Sequence, residues 1–401
     1  MAVERKLNMA VIGSGARGLW VLGHEFIRRR EEVRVLGFCD PRDSLRQNVD
    51  WIISDMAEKG TPLDYPILTT SDHNELLAID DLDFVLLATP NHLHADYAEA
   101  ICQAGLGLLI EKPLATNVRD LNRIVAAERQ SGVKVFVGFC MRYNRLFAKT
   151  KELIVSGTIG RPRLLSFQDY FSLGRGYFRG RNRFQRFSGG LLVEKACHSF
   201  DLISWLLDSA PVRTSCFGRL SVFTPKEEAG ETCQGCRLAH TCPDYRESRS
   251  GRAPLCVYNS KKDVDDTDAV LIDHENGALA SYVECFYSPT AERRFSVVGD
   301  RGELLASEER GTIEYRRLGE DAWVHLDVEY NPGGHRGADP LMVTAAIDYF
   351  RGDVGDEAAV GDEAAVGSEA GRLSVLVAMA AQRSAKEGRI VTIEEIAADE
   401  R

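Results

Sequence analysis

Up to residue 138, short apolar runs alternate with longer segments in which apolar residues recur at helical spacing. The apolar runs have the length of buried strands and cover 7–12, 33–39, 67–69, 83–88, 107–111 and 134–138. The helical segments include 19–30, a segment from 72 onward, 92–104 and 117–130. Strands that alternate with helices in this way predict an α/β domain with a doubly wound, parallel Rossmann sheet.

Beyond residue 138 the alternation stops, and the chain becomes β-rich from Ser215 onward. A hairpin is expected between 269–273 and 278–286, because Asn276-Gly277 favours a tight turn. The other predicted elements are a helix at 143–157, strands at 164–170, 295–298, 303–305, 312–316 and 324–328, helices at 340–351 and 369–387, and a strand at 390–392. The predicted domains are therefore 1–139 and 140–401, with a C-terminal helix and strand at 340–393. A repeated acidic hexad at 355–366 is interpreted as a solvent-facing loop.

Length and charge narrow the classes of function. The 401 residues are enough for two domains, and 44% hydrophobic with 27% charged residues is typical of a soluble globular protein. The net charge of −11 argues against a nucleic-acid partner or an anionic membrane surface. No apolar run reaches the ~18 residues of a transmembrane helix, and the N-terminus lacks a signal-peptide pattern. We therefore expect a cytoplasmic protein whose ten cysteines are reduced thiols or metal ligands.

A glycine-rich loop separates the first predicted strand from the first helix. It fits G-x-G-x-x-G and consists of Gly13, Ser14, Gly15, Ala16, Arg17 and Gly18. Such glycines allow a tight turn, close approach of the backbone to a pyrophosphate, and close packing of helix on strand. Because the required strand and helix flank the loop, the pattern indicates a dinucleotide site.

Asp40 ends the second predicted strand. An acid there is placed to accept hydrogen bonds from both ribose hydroxyls of NAD and to repel the 2′-phosphate of NADP. Arg42, two residues later, keeps NADP open as an alternative. The sequence favours NAD.

Two more polar clusters follow strands of the same sheet, and parallel strands end at the same edge. Thr89, Pro90, Asn91 and His94 come after the fourth strand, and Glu111, Lys112 and Pro113 after the fifth. A turn with a helix cap, and a surface ion pair, are the alternatives for these clusters. A lysine at this edge can reach a substrate hydroxyl.

The three loops, in this order and at these intervals, resemble the glucose-fructose oxidoreductase / inositol dehydrogenase / MocA (Gfo/Idh/MocA) family over the whole chain. The resemblance implies that Lys112 is a catalytic-site residue and that Thr89, Pro90 and Asn91 lie along the cofactor, with His94 and Glu111 in the same site. It also implies a C-terminal α+β domain with a large, mainly antiparallel open sheet. That sheet is expected to form a homodimer or homotetramer through its outer face.

A helical stretch in the second domain carries Glu194, Lys195, His198 and Asp201. Helical spacing puts Glu194, His198 and Asp201 on one face, and a histidine can accept a hydroxyl proton near neutral pH. A structural histidine is the alternative. The stretch resembles the family's Asp-x-Gly-x-His-x-x-Asp segment, with Glu194 and Ala196 as departures from it.

Two other segments are candidates for substrate binding. The arginines and aromatics of 174–186, including Arg175 and Tyr177, could bind an anionic or polyhydroxylated ligand, although a solvated basic loop is the alternative. His335 and Asp339 resemble a loop that borders the substrate in sugar-acting members. Asp339 also precedes Pro340 as a predicted helix cap.

An insert at about 224–262 contains Cys233, Cys236, Cys242 and Cys256. Four thiolates can satisfy tetrahedral zinc, and the first pair has good zinc spacing. Free thiols and an iron–sulfur cluster are the alternatives. A zinc ion here would brace a loop.

The resulting hypothesis is an NAD-dependent dehydrogenase acting on a secondary alcohol of a sugar, cyclitol or related polyol. His198 would accept the hydroxyl proton, Lys112 would stabilise the charge that develops on that oxygen, and Glu194 would orient a neighbouring hydroxyl. A redox-neutral NAD-dependent glycosidase or lyase, and a non-catalytic NAD- and sugar-sensing regulator, are the alternatives.

Overall fold

A computed structural model of the chain describes residues 5–172, 174–248, 253–352 and 367–399. The chain forms two compact units: Met1–Ala148 with Glu329–Arg372, and Lys149–Val328 with Leu373–Arg401. This division differs from the predicted boundary at 139/140, since Glu329–Arg372 belongs to the first unit. The acidic repeat at 355–366 lies outside the described residues.

Fifteen strands are present in the described part of the chain: β1 Leu7–Ile12, β2 Val33–Cys39, β3 Leu68–Thr70, β4 Phe84–Leu87, β5 Gly107–Ile110, β6 Val135–Val137, β7 Pro162–Tyr170, β8 Pro211–Arg219, β9 Thr267–His274, β10 Leu279–Cys285, β11 Glu292–Gly299, β12 Gly302–Ser307, β13 Thr312–Arg317, β14 Val324–Asp327 and β15 Val391–Thr392.

The α-helices of the same residues are α1 Leu22–Arg28, α2 Asp43–Glu58, α3 His73–Leu77, α4 His94–Gln103, α5 Val118–Ser131, α6 Arg145–Val155, α7 Gln185–Ser188, α8 Cys197–Leu207, α9 Gly334–Arg351, α10 Ser368–Glu387 and α11 Ile393–Ala397. A search of the described helices finds none with the length and apolarity that crossing a bilayer requires.

The first unit contains a six-stranded sheet in the order β3-β2-β1-β4-β5-β6, with every neighbouring pair parallel. The predicted doubly wound sheet is therefore confirmed. Strands β4 and β5 are buried at every position, which explains why their sequences are uninterrupted apolar runs. The strand order reverses between β1 and β4, and ligands bind at the carboxyl edge of such a switch point.

The segment Glu329–Arg372 joins the first unit through helix α9. The ring of Phe350 stacks on that of Phe84 in β4, with centroids 4.3 Å apart and an interplanar angle of 7°. Helix α9 is interrupted near its start, where His335 and Arg336 have left-handed backbone angles. The prediction that Asp339 caps a helix is wrong, because its carboxylate instead accepts hydrogen bonds from Arg17.

The second unit contains a nine-stranded sheet in the order β14-β13-β12-β11-β7-β10-β9-β8-β15. Only the β7–β10 pair is parallel among these described strands, so the predicted mainly antiparallel sheet is confirmed. The predicted hairpin joins β9 to β10, with Gly277 at φ +78° and the Asn276 side chain accepting from the Ala278 N–H. Helix α8 packs on this sheet, and the ring of Phe200 meets that of Tyr282 edge-on.

The buried side chain of His94 joins the chain segments that follow β4 and β5. Its Nδ1 lies 3.1 Å from the carbonyl oxygen of Pro113 and 3.2 Å from that of Leu114, while Nε2 lies 3.2 Å from that of Thr89. Burial lowers the pKa of this imidazole below its ordinary value of 6.5, against the raising effect of the carbonyls. The neutral form is therefore favoured in the folded protein, and its single N–H can donate to the carbonyl oxygens on only one side of the ring.

This histidine predicts an acid sensitivity of stability. Below pH 6.5 the unfolded chain takes up a proton at His94 that the folded chain excludes, so the free energy of unfolding should fall as the pH drops. In His94→Asn this fall should be smaller, as measured by chemical denaturation over about pH 5.5 to 7.5. The control is His240→Asn, at an exposed histidine. Equal pH slopes in wild type and His94→Asn would contradict the assignment.

Candidate active site

The glycine loop has the backbone that a dinucleotide site requires. Gly13 has φ +100°, and a Cβ there would lie 2.6 Å from the Ala88 carbonyl group. A Cβ at Gly18 would lie 1.9 Å from the Gly13 carbonyl oxygen, so this position needs glycine for packing. At Gly15 nothing lies within 4 Å of an added Cβ. The middle glycine therefore faces open space, which is the room that a pyrophosphate would occupy.

The first helical turn, Ala16–Val21, begins within this loop and is a π-helix. Such wide turns are rare and frequently occur at functional sites. The turn places backbone N–H groups and the positive end of a helix dipole beside the open position at Gly15. The loop therefore fits a phosphate-bearing cofactor without any side-chain cation.

Asp40 lies directly behind the glycine loop and is buried. Its carboxylate accepts hydrogen bonds from the Ser14 backbone N–H, at 3.1 Å, and from Arg42 Nε and Nη2, at 3.0 and 3.1 Å. Burial alone would raise the pKa of Asp40, but these bonds from Arg42 and Ser14 hold it below its ordinary value. Asp40 is therefore ionised, as an acceptor for ribose hydroxyls must be.

Arg17 bridges two buried carboxylates. Its Nε donates to Glu111 Oε1 at 2.9 Å, and its Nη1 and Nη2 donate to the two oxygens of Asp339 at 3.1 and 3.0 Å. Burial alone would lower the pKa of Arg17, but Glu111 and Asp339 outweigh burial and raise it. The predicted cofactor residues Arg17 and Glu111 are thus bonded to each other, and their joint effect is to fix the loop that precedes Lys112.

Cys140, His335 and Asp339 form the single group of three metal-type ligands within 4.8 Å of one another that the described residues contain. His335 Nδ1 lies 2.9 Å from Asp339 Oδ2, and the same carboxylate already binds the Arg17 cation. Burial raises the pKa of the Cys140 thiol well above its ordinary value, so it stays protonated and is a poor ligand. We interpret the group as an ion-pair cluster and not as a metal site.

Lys112 follows β5 at the carboxyl edge of the sheet and is half-buried. The chain turns at Pro113, as predicted. On the neighbouring strand, Pro90 precedes a 3-10 turn at Asn91–Leu93, and no side-chain hydrogen bond caps either that turn or α4. The capping alternative for Thr89 and Asn91 is therefore not observed, and the Thr89 hydroxyl oxygen is buried without a hydrogen-bond partner among the described residues.

In the second unit, the predicted regular helix around His198 begins with a different turn. Leu192–Ala196, which contains Glu194, is a π-helix, and α8 starts at Cys197. A π-turn is wider than an α-turn, so Glu194 lies in a widened turn and the regular helix begins three residues after it. His198 and Asp201 are buried in α8, whereas Glu194 is half-buried. The Lys195 ammonium lies 4.9 Å from the centroid of the Phe171 ring.

A buried polar network anchors α8 next to His198. The Ser199 hydroxyl donates to Asp169 Oδ2 in β7 at 3.0 Å, and Arg293 Nε in β11 donates to the same oxygen at 3.2 Å. Arg293 Nη1 also donates to Glu308 at 3.1 Å. These residues were absent from the sequence prediction, because three separate chain segments must fold before they meet. They fix the helix that carries His198.

The two predicted substrate residues of the basic loop have structural partners. Arg175 forms an ion pair with Asp244 of the cysteine-bearing insert and donates to the Ser172 carbonyl oxygen at 3.0 Å. The ring of Tyr177 packs edge-on against Phe286. Both side chains therefore join the loop to the hydrophobic core of the second unit. Cys233, Cys236, Cys242 and Cys256 line one cavity in the same unit.

Comparison with known proteins identifies both parts of the chain. The model for the oxidoreductase family's NAD-binding Rossmann fold matches residues 7–139, and that for its C-terminal alpha/beta domain matches 151–393. The putative oxidoreductase YteT of Bacillus subtilis is 29% identical over 374 residues, covering 82% of this chain and 86% of that protein. The myo-inositol 2-dehydrogenase of Thermotoga maritima is 29% identical over 136 residues, covering 34% of this chain and 39% of that protein.

Solved structures share the fold. A putative NADPH-dependent oxidoreductase from Desulfitobacterium hafniense superposes with a TM-score of 0.73 at 19% identity, covering 98% of this chain and 99% of that chain. Together the two family models match nearly the whole sequence. The first covers the glycine loop and the second covers His198. The chain therefore belongs to the Gfo/Idh/MocA family of NAD-binding oxidoreductases.

Proposed function

We propose that the protein is an NAD-dependent dehydrogenase of a secondary alcohol in a sugar, cyclitol or related polyol. The observation that carries the proposal is the edge of the first sheet, where Lys112 leaves the buried strand β5 beside the open glycine loop. Glu111, the residue before Lys112, is attached to the glycine loop by its ion pair with Arg17. An ammonium fixed beside a cofactor can stabilise an alcohol oxygen as it loses its proton.

Each of the proposed catalytic residues has a defined chemical task. Bound NAD supplies the acceptor for the hydride of the substrate's CH–OH group. Lys112 donates a hydrogen bond to the alcohol oxygen, and His198 accepts the hydroxyl proton. Glu194 orients a neighbouring hydroxyl, which favours a polyol over a simple alcohol. The other residues predicted to contribute to substrate binding are Lys195, Asp201, Arg175, Tyr177, His335 and Asp339. Of these, Arg175, Tyr177 and Asp339 would act through their structural partners.

The relatives support a polyhydroxylated substrate. The Thermotoga maritima protein is named for myo-inositol, although its match covers only 39% of its own length. Both sequence relatives reported above are named as an oxidoreductase or a dehydrogenase. These names favour the dehydrogenase over a redox-neutral glycosidase or lyase and over a non-catalytic regulator.

A screen of sugars and cyclitols with NAD, measured at the nicotinamide absorbance, tests this function. The wild-type protein should form NADH with at least one of these polyols, and Lys112→Met should lower turnover by about 10²-fold or more, because the oxygen loses its charged donor. NADH binding, measured by fluorescence, should persist in Lys112→Met, since the glycine loop is unchanged.

The matched control for this test is Lys59→Met, at an exposed lysine that pairs with Asp55 on α2. It should turn over like wild type. Undiminished turnover in Lys112→Met would refute the role of Lys112. Cleavage of a glycoside without net NADH formation would instead support the glycosidase alternative.

Cofactor choice is proposed to depend on Asp40. Its buried carboxylate accepts hydrogen bonds from Arg42. The Arg42 side chain is 59% exposed and can move as the cofactor binds. An ionised Asp40 favours the two ribose hydroxyls of NAD and repels a 2′-phosphate. Arg42 and Arg46, which donates to the Asp40 carbonyl oxygen at 2.7 Å, are the cations that NADP would use instead.

Asp40→Asn should therefore shift the preference toward NADP. The amide removes the negative charge and releases the Arg42 guanidinium, so the ratio of kcat/KM for NAD to that for NADP should fall by about tenfold or more. Asp50→Asn, at an exposed position of α2, is the control with the same change of net charge. An unchanged ratio in Asp40→Asn would show that Asp40 does not select the cofactor.

The outer face of the nine-stranded sheet is proposed to bind a second copy of the chain. Leu164 of β7 lies between Leu279 of β10 and Val298 of β11 in the sheet register, and all three side chains are exposed. Phe217 and Leu271, in β8 and β9, are also exposed, at 73% and 62%. Neighbouring exposed apolar side chains such as Leu164, Leu279 and Val298 favour an interaction surface, and a sheet face can pair with its own copy in a two-fold dimer.

Replacing an apolar residue of this face with a charge should break the assembly. Wild type should run as a dimer or tetramer in analytical ultracentrifugation, and Leu279→Asp should shift it toward monomer, because pairing would bury an uncompensated carboxylate. Leu318→Asp is the control, because Leu318 is exposed but lies in the turn between β13 and β14. A monomeric wild type, or an unaffected Leu279→Asp, would contradict the proposed interface.

A further inference from the structure

The segment between β8 and β9 folds around its cysteines with little regular secondary structure. Thr232 and Leu255 form an isolated antiparallel bridge. Next to it, the Cys233 N–H donates to the Pro254 carbonyl oxygen and the Cys256 N–H to that of Glu231, both at 2.8 Å. These backbone bonds bring Cys233 and Cys256 together from distant positions in the insert.

Two tight turns bring the other cysteines to the same place. The Cys236 N–H donates to the Cys233 carbonyl oxygen at 3.3 Å, and the Cys242 N–H donates to that of Leu238 at 2.8 Å. All four cysteines line one cavity of about 10 Å³. Such a volume is room for about one water-sized sphere. The insert therefore encloses a space for about one atom, and all four cysteines are among the residues that line it.

The insert is attached firmly to the second unit. Cys256 belongs to a buried apolar cluster with Phe178, Phe223 and Phe286. The Asp266 carboxylate accepts the backbone N–H groups of Ser221, Val222 and Phe223 at 2.7 to 2.8 Å, which fixes the start of the insert. The cavity is thus part of the folded core.

Arg179 also lines this cavity, and its Nη1 group is available as a hydrogen-bond donor. Its Nε donates to the Leu255 carbonyl oxygen at 3.0 Å, and its Nη2 donates to that of Asp244. Its Nη1 is buried and has no hydrogen-bond partner among the described residues. A buried, unpaired N–H of a cation is costly, so an acceptor is missing beside the thiols.

We propose that the four cysteines bind one structural zinc ion and that Arg179 donates its spare N–H to a coordinating sulfur. Cys233, Cys236, Cys242 and Cys256 would bind as thiolates, releasing their thiol protons to solvent. Four thiolates around Zn²⁺ leave a net charge of −2, which the guanidinium partly offsets. An arginine N–H is the kind of outer partner that orients metal ligands.

The geometry distinguishes zinc from the two alternatives. All ten cysteines are free thiols in the structure, and these four line one cavity instead of pairing as disulfides. The cavity has room for one atom, which is too small for an iron–sulfur cluster. Among the described residues, no three of these sulfurs lie within 4.8 Å of one another, so binding requires the thiol groups to rotate inward. Because cysteine fills every ligand position, the ion has no open site for catalysis.

Metal content of the purified full-length protein tests the proposal. Mass spectrometry of elements should find one zinc ion per chain in wild type and near none in the double variant Cys233→Ser, Cys236→Ser. Cys285→Ser is the matched control, a half-buried cysteine of the same unit outside the cavity, and it should keep the zinc. Zinc-free wild type, iron with sulfide, or equal zinc in the double variant would overturn the proposal.

A second measurement needs no cysteine variant that could fail to fold. Exchange of the bound zinc for Co²⁺ should give the absorption of a tetrahedral thiolate site, including a sulfur-to-cobalt charge-transfer band. Arg179→Met should keep this spectrum but move the charge-transfer band and speed the loss of metal to a chelator, since a sulfur loses its hydrogen-bond donor. Absence of the band, or disulfide bonds among these cysteines in wild type isolated without reductant, would refute the site. An Arg179→Met spectrum identical to wild type would refute the role of Arg179.

Discussion

The pairing of Arg17 with Glu111 and Asp339 is the interaction on which the first unit's site depends. It joins the glycine loop to a residue 94 positions later and to another 322 positions later. Arg17 is only partly buried, but both of its carboxylate partners are buried, so removing the arginine would leave two buried carboxylates without their cation. The chain therefore cannot close its glycine loop without also placing the end of β5, where Lys112 lies, and the start of α9.

This pairing also explains how the loop can accept a pyrophosphate. Arg17 is the side-chain cation of the G-x-G-x-x-G segment, and its charge is already used by two acids. Phosphate binding is left to the backbone N–H groups and the helix end beside Gly15. Asp40 and Arg42 form a second neutralised pair on the same edge. The acids of this edge are thus paired with arginines, so they do not present an uncompensated negative surface to an anionic cofactor.

Local patterns predicted most of the first unit, because its strands are mostly apolar, with β4 and β5 buried at every position, and three loops at the sheet edge carry motifs. The glycine roles at Gly13, Gly15 and Gly18 were predictable for the same reason. The partner of Arg17 was not, since nothing local in the sequence connects Arg17 with Asp339. The π-turn before His198 was also missed, because helical periodicity looks the same whether one turn is widened or not. The assignment of Asp339 as a helix cap failed because Asp339 lies inside α9, where its buried carboxylate accepts hydrogen bonds from Arg17.

The central claim is that hydride passes from a polyol carbon to a nicotinamide bound at the edge that carries Lys112. A substrate found by the polyol screen, labelled with deuterium at its CH–OH carbons, tests this directly. After one turnover with NAD, mass spectrometry should find a single deuterium in the NADH, located on the nicotinamide ring. Product that forms while the nicotinamide gains no deuterium, or NADH whose new hydrogen comes from solvent, would contradict the account.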